Sequence, residues 1–333
     1  MLATTLSQAA RRTGHVRLSS VLSLARSLST SSPHMKQIER LTVVGAGLMG
    51  AGIAQVAADA GVKVVMTDVS DQALENGRSI ITKSLTRIAR KKSPDDTAAQ
   101  KEYIDRVFSN IATTTSAQEA ASFPDLIIEA IVENLKTKQD LFRRLDEIAP
   151  RDTIFASNTS SLSVRKIAEP VSDARKERFC ALHFFSPVPQ MRLVEIISTD
   201  KTAPGVLEDV VEVCKRMKKT PVRCGDTPGF IVNRLLVPYL LEAVRMVERG
   251  EATPEDIDAA MKLGAGVPMG PLELADFVGL DTLSHIARGW REERVSTGEI
   301  DAKQVEEVSA LEKLVKEGNL GRKSGKGFFD YSS

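Results

Sequence analysis

The sequence predicts an α/β fold: a mostly parallel sheet carrying an inserted helical arm, followed by an all-α C-terminal part. Three observations carry that expectation. An apolar run ending in Val43 and Val44 breaks into Gly45, Gly47 and Gly50, and a helical stretch and a second apolar run follow. Apolar runs of strand length then alternate with helical patterns as far as residue 183. Near residues 222–227 that rhythm stops, and only helical patterns punctuated by glycine and proline come after.

The bulk properties narrow the function classes. A chain of 333 residues has room for two domains with real cores. Its formal charge of +1 implies no nucleic-acid or membrane-surface partner, and no apolar run approaches the length needed for stable membrane insertion. Cys180, Cys214 and Cys224 are an odd set without C-x-x-C spacing, which argues against a disulfide framework or a zinc site. Residues 1–34 contain no acid but carry Arg11, Arg12, Arg17 and Arg26 among serines and leucines. That composition, with an amphipathic stretch at 16–28, is that of a mitochondrial transit peptide, so a matrix location is expected. A merely disordered basic tail would have no reason to exclude acids while keeping amphipathicity. Removing the four arginines moves the formal charge from +1 to −3, so the folded body is mildly acidic.

The glycine turn is the first element with chemical content. Gly45 takes turn angles closed to other residues. Gly47 has no side chain to hold a pyrophosphate off the backbone, and Gly50 lets helix and strand pack closely. The helix expected over residues 49–60 aims its unpaired N–H groups at such phosphates, so Gly45, Ala46, Gly47, Leu48, Met49 and Gly50 form a candidate cradle. Gly61 ends the helix and 62–67 reads as the second strand. Asp68, 18 residues past Gly50, closes the motif. A carboxylate there accepts hydrogen bonds from ribose hydroxyls and repels a 2′-phosphate, so a Rossmann-type domain over residues 38–224 binding NAD rather than NADP is expected.

Two helices, at 72–91 and 95–106, make a hairpin inserted before the sheet resumes, and the arm spans 72–106. Its basic end, Arg87, Arg90, Lys91 and Lys92, suits either a solvated helix terminus or a ligand contact, and spacing does not decide. Strands follow at 125–129, 153–157 and 178–183, with helices at 135–148 and 164–168. Asp68, Glu129, Asn158, Ser160 and His183 all fall at or just past strand carboxyl ends, where parallel sheets bind ligands. His183 is followed by a proline-rich turn and then by Glu195 inside the run LVEII. If that turn folds back, the carboxylate can orient the imidazole as a base. A structural histidine and an alternating strand acid fit the same residues.

Residues 225–333 read as an all-helical domain. A long helix opens at Pro228-Gly229 and runs to 249 with Pro238 inside it, and Thr253-Pro254-Glu255-Asp256 is a capped helix start. Glycine and proline punctuate 261–280. Further helices are expected at 281–294 and 308–316. Apolar helical faces of this kind favour a homodimer over a monomer.

Taken in order, GAGLMGAGIAQ, EAIVENLKTK, ASNTSSL, LHFFSPVP, RLVE, DTPGFIVNR and KLGAGVPMGPLEL make the chain resemble the L-3-hydroxyacyl-CoA dehydrogenases of fatty-acid β-oxidation over residues 40–330. The likeness is greatest to the stand-alone mitochondrial form acting on short and medium chains. The resemblance implies that His183 is the catalytic base and Glu195 its partner, and that Ser160 and Asn233 contact the substrate 3-oxygen. It implies cofactor contacts by Glu133, Lys138, Asn158, Ser160 and Lys323, and coenzyme A contacts by Ser84, Lys91 and Ser160. It also implies that the helical domain is a dimer interface. Ser186 departs from the family, which has asparagine after H-F-F; serine reaches less far, so a cofactor contact there needs a bridging water. An NAD dehydrogenase of a free hydroxy acid (gulonate-type) is the alternative enzyme, disfavoured by Ser84 and Lys91. A crystallin-like or regulatory binding protein is disfavoured by the intact pair His183 and Glu195.

Overall fold

The structure, a computed structural model, describes residues 37–122 and 124–332. The transit segment expected at 1–34 lies outside the described residues. In order the chain forms β1 (Arg40–Val44), α1 (Leu48–Asp59), β2 (Lys63–Thr67), α2 (Asp71–Lys92), α3 (Thr97–Phe108), β3 (Ile111–Thr114), α4 (Ala117–Ala121), β4 (Leu126–Glu129) and α5 (Leu135–Ile148). It continues with β5 (Ile154–Ser157), the short α6 (Val164–Ile167) and α7 (Asp173–Lys176), β6 (Phe179–Phe184), β7 (Leu193–Ser198), α8 (Pro204–Arg216) and β8 (Thr220–Gly225). The eight strands pair in the order β3-β2-β1-β4-β5-β6-β7-β8. All neighbours are parallel except β6 and β7, which run antiparallel with His183 opposite Glu195.

Central strands covered on both faces need continuous apolar runs; β4 supplies one, and β1 is interrupted only by buried Thr42, whose hydroxyl donates to Ala120 O at 2.6 Å. Leu126 and Ile128 pack into one core with Val43, Ile53, Met66, Ile81 and Leu85. Ile127, between them, points the other way into a core with Phe142, Phe155 and Phe179. The expected helical arm is α2 and α3. Its inner face is not free: Leu74, Ile81 and Leu85 belong to the first core, and Gly77 brings α2 against the Ala46 carbonyl. The second arm helix starts at Thr97 rather than 95, because Asp96 is its cap and accepts from the Ala99 N–H at 2.9 Å.

The helical part comprises α9 (Val232–Glu248), α10 (Pro254–Gly264), α11 (Pro271–Val278), α12 (Leu280–Glu293) and α13 (Ser309–Lys316) around a third core that includes Leu240, Val244, Leu272, Leu283 and Trp290. The long helix α9 begins later than its Pro-Gly signal predicts. Gly229 (φ 76°) and Phe230 (φ 55°) are both left-handed, so helical hydrogen bonding starts only at Val232. Thr253 caps α10 as expected, accepting from the Asp256 N–H. The punctuated stretch at 261–280 contains α11, whose first N–H groups, those of Leu272 and Glu273, are held by buried Asp258.

The glycines of the first turn differ in what they tolerate. A Cβ on Gly50 would lie 1.8 Å from the Gly45 carbonyl oxygen, whereas one on Gly47 meets nothing within 4 Å. Gly50→Ala is therefore expected to cost on the order of 3 kcal/mol or more in urea denaturation, and Gly47→Ala about 1 kcal/mol or less, reflecting only alanine's poorer capping.

Candidate active site

Four polar arrangements converge at the carboxyl ends of β1, β2, β4, β5 and β6. The first is the glycine turn itself. Gly45 (φ 107°) turns the chain and donates its N–H to Thr67 O of β2. Asp68 accepts from the Ala46 N–H through Oδ2 and from the Val69 N–H through Oδ1, both at 2.7 Å. The turn and the acid thus fix each other. Gly47 is the N-cap of α1, contributes no side-chain cap and is exposed, as are Leu48 and, in part, Met49. An open helix N-terminus with a carboxylate at the end of the next strand fits a dinucleotide: pyrophosphate at the amides, ribose at Asp68.

The second arrangement is a buried ionic knot at the ends of β4 and β5. Lys138, 1% exposed, bonds Glu129 at 2.5 Å and Glu133 at 3.1 Å. Glu129 also accepts from Ser157 Oγ (2.6 Å) and the Ile131 N–H (2.8 Å). Glu133 gathers the turn after β5, accepting from Thr159 Oγ1 and from the N–H groups of Ser160 (2.9 Å) and Ser161 (3.2 Å). Partial burial pushes its carboxyl up, but Lys138, the Thr159 hydroxyl and the Ser160 amide together hold it below the ordinary glutamate range. Asn158 Oδ1 accepts from the Phe184 N–H at 2.8 Å, tying this turn to the residue after His183.

The third arrangement is the pair the sequence left open. His183 Nδ1 lies 2.8 Å from Glu195 Oε2, and both residues are buried. A carboxylate acceptor puts the proton of the neutral ring on Nδ1, which leaves Nε2 as the basic atom. Oε1 of the same glutamate accepts from the N–H groups of Ile231 (3.0 Å) and Val232 (2.9 Å), the start of α9, one residue before Asn233. Burial raises the carboxyl's pKa, yet the bonds from His183, Val232 and Ile231 outweigh it and hold Glu195 below the usual carboxylate range. Phe185 and Phe230 flank the imidazole, with ring centroids 4.4 and 5.5 Å away. Asp226 anchors the other end of that linker, accepting from Ser163 Oγ (2.8 Å), the Val164 N–H (2.9 Å) and the Arg165 N–H (2.8 Å) at the start of α6.

The fourth is a cavity of about 300 Å³ between α1, the arm and the β6–β7 turn, lined by Leu48, Gly52, Ile80, Ser84, Arg87 and residues 187–190 among others. Ser84 lines it. Its cation is Arg87, while Lys91 is exposed further along α2 and Lys92 lines the adjoining cavity. Ser186 is exposed at the start of the turn. Lys323, in the helical part, is paired with Asp281 at 2.5 Å. Sequence reasoning missed Asp226, Thr159 and Ser157, each of which has a partner 26 or more residues away along the chain. Among the described residues no cluster suited to a metal ion occurs.

Comparison with known proteins matches residues 40–227 to the family model for the NAD binding domain of 3-hydroxyacyl-CoA dehydrogenase and residues 229–331 to that for its C-terminal domain. The human mitochondrial hydroxyacyl-coenzyme A dehydrogenase is 50% identical over 309 residues, covering 92% of this chain and 96% of that one. A probable 3-hydroxybutyryl-CoA dehydrogenase of Bacillus subtilis is 44% identical, covering 89% and 98%. The crystal structure of the (S)-3-hydroxybutyryl-CoA dehydrogenase of Ralstonia eutropha superposes with a TM-score of 0.81 at 37% identity, covering 89% of this chain and all of that one.

The depressed carboxyl of Glu195 has a stability consequence with a definite sign. A carboxylate whose folded pKa lies below its unfolded value stabilises fully above about 4.3, the ordinary glutamate value, and loses that contribution as pH falls through the folded pKa. Melting temperature measured from pH 7 down to about pH 3 should therefore fall more steeply for the wild type than for Glu195→Gln, with the two curves converging at the acid end.

Proposed function

The chain belongs to the 3-hydroxyacyl-CoA dehydrogenase family and is an NAD-dependent oxidoreductase of hydroxyacyl-CoA thioesters in β-oxidation, and on that premise we propose that His183, paired with Glu195, is its catalytic base. The observation that carries this reading is the buried His183–Glu195 contact, extended to the start of α9.

When bound, NAD⁺ accepts the hydride from C3 of the substrate. Ser160 and Asn233 hold the 3-oxygen from two sides, and Nε2 of His183 removes its proton. The imidazolium so formed sits against the buried carboxylate of Glu195, which holds the ring in place for the transfer. In the reverse direction the imidazolium returns the proton to the forming hydroxyl. The substrate in this reading is the L-3-hydroxyacyl thioester.

The cradle of Gly45, Ala46, Gly47, Leu48, Met49 and Gly50 holds the cofactor pyrophosphate, and Asp68 its adenosine ribose, which selects NAD over NADP. Glu133, Lys138 and Asn158 serve the nicotinamide side, and Ser186 joins them only through a bridging water. Lys138 acts there through Glu133, since its own ammonium is enclosed between two carboxylates. Lys323 would join from the helical part. Ser84, Arg87 and Lys91 receive coenzyme A along the arm, for whose phosphates cationic side chains are suited.

In this assignment residues 38–224 form the cofactor domain and 225–333 the substrate and dimerisation domain. Exposed Leu235, Leu263 and Phe277 on the helical part, at 69%, 88% and 57%, favour a homodimer that covers them. The protein is mitochondrial like its mammalian relatives, and the acid-free residues 1–34 support import into the matrix.

The test follows NADH formation with short, medium and long 3-hydroxyacyl-CoA thioesters, with the free acids as controls. Turnover is expected with thioesters only. His183→Gln should lower kcat by about 10²- to 10⁴-fold while NADH affinity stays within about twofold. Absence of turnover with every thioester would overturn the activity, and unchanged turnover in the variant would overturn the base.

A further inference from the structure

The turn between His183 and Glu195 does two things at once. It links the two members of the proton-transfer pair, and its residues 187–190 form one wall of the cavity that Ser84 and Arg87 line. Val188, 2% exposed, sits directly on α1, where a Cβ on Gly52 would come within 2.8 Å of its own Cβ. A wall in that position sets the width of the cleft.

The far side of the turn rests on Lys219. This lysine lies between α8 and β8 and is only 7% exposed. Its ammonium donates to the carbonyl oxygens of Val188 and of Met191, the latter at 2.8 Å. Burial depresses its pKa, a cost that a solvated lysine would not carry. The backbone beside it is also unusual. Lys218 adopts φ 59°, a left-handed conformation rare outside glycine, and this turns the chain after α8 so that Lys219 enters the protein. The next residue, Thr220, donates its N–H to Arg192 O at 2.7 Å, so the same segment grips the turn a second time. The buried cation and the Thr220 amide both serve one end: holding residues 188–192 in place.

We propose that Lys219 is a positioning residue for thioester recognition, its ammonium fixing the 187–191 turn as the rigid wall of the acyl-CoA cleft. The proposal rests on the activity assigned above. Lys219 touches neither proton-transfer residue in its hydrogen bonds; it acts through the turn. Its loss therefore enters as substrate affinity and leaves the chemical step in place.

The experiment compares wild type, Lys219→Met and Lys219→Arg, each as the full chain. Methionine keeps the volume and removes the donors, and a buried charge exchanged for an apolar side chain of like size need not unfold the protein. With a medium-chain 3-hydroxyacyl-CoA, Lys219→Met should raise KM about tenfold, with kcat and NADH affinity within about threefold, and Lys219→Arg should recover most of the loss. A thioester truncated to N-acetylcysteamine, too short to span the cleft, should show the same KM in wild type and variant. Amide exchange at Gln190 and Met191, whose N–H groups close the turn on Pro187 O, should accelerate about tenfold or more in Lys219→Met. An unchanged KM for the CoA thioester, or equal losses in kcat and NADH affinity, overturns the proposal. Should wild type turn over no thioester, the activity reading fails, and the exchange measurement then decides alone: unaltered exchange overturns the clamp.

Discussion

One carboxylate makes a single site out of two parts of the chain. Glu195 is buried on β7, with one oxygen on His183 Nδ1 and the other on the N–H groups of Ile231 and Val232. A buried charge survives only when its lone pairs are used, and here they are used by an imidazole from the sheet and by the open end of a helix from the second half. The negative charge also sits at the positive end of the α9 dipole. Removing it would unfasten both the ring and the turn of helix that carries Asn233.

In the proposed reading the remaining elements bring a cofactor and a substrate to that junction. Parallel strands deliver the glycine turn, Asp68 and the Glu129–Lys138–Glu133 knot to one edge of the sheet. The antiparallel return from β6 to β7 sets Glu195 opposite His183, since directly paired residues on neighbouring strands present their side chains on the same face. The connecting turn then becomes available as a cleft wall. Asp226 and the left-handed pair Gly229 and Phe230 carry the chain out of the sheet at the angle α9 requires.

Much of this was legible in the sequence because it is local. The glycine turn, Asp68 and the capped start of α10 announce themselves within a few residues, where backbone sterics and capping act. The arm was legible from its periodicity, although the burial of Leu74 and Ile81 in the first core was not. The meeting of His183 and Glu195 stayed undecided until the antiparallel register was known, because a proline-rich turn of that length can also lead away. The resemblance to a known family, not spacing, supplied the roles of Ser84 and Asn233. Strand β3 is four residues long and only partly buried, too short for a period to register. Asp226 and Lys219 were illegible for a different reason. Their partners include backbone N–H or C=O groups roughly 30 to 60 residues away, and such partners leave no mark on residue type.

The central coupling in the site is that of the imidazole to α9 through Glu195. A double-mutant cycle on kcat/KM with Glu195→Met and Asn233→Ala tests this most directly. If Glu195 holds the helix start, Asn233 is already misplaced once the carboxylate is gone, and adding Asn233→Ala should lower kcat/KM by no more than about twofold further. If instead the two losses multiply in full, the carboxylate serves His183 alone and the coupling is contradicted.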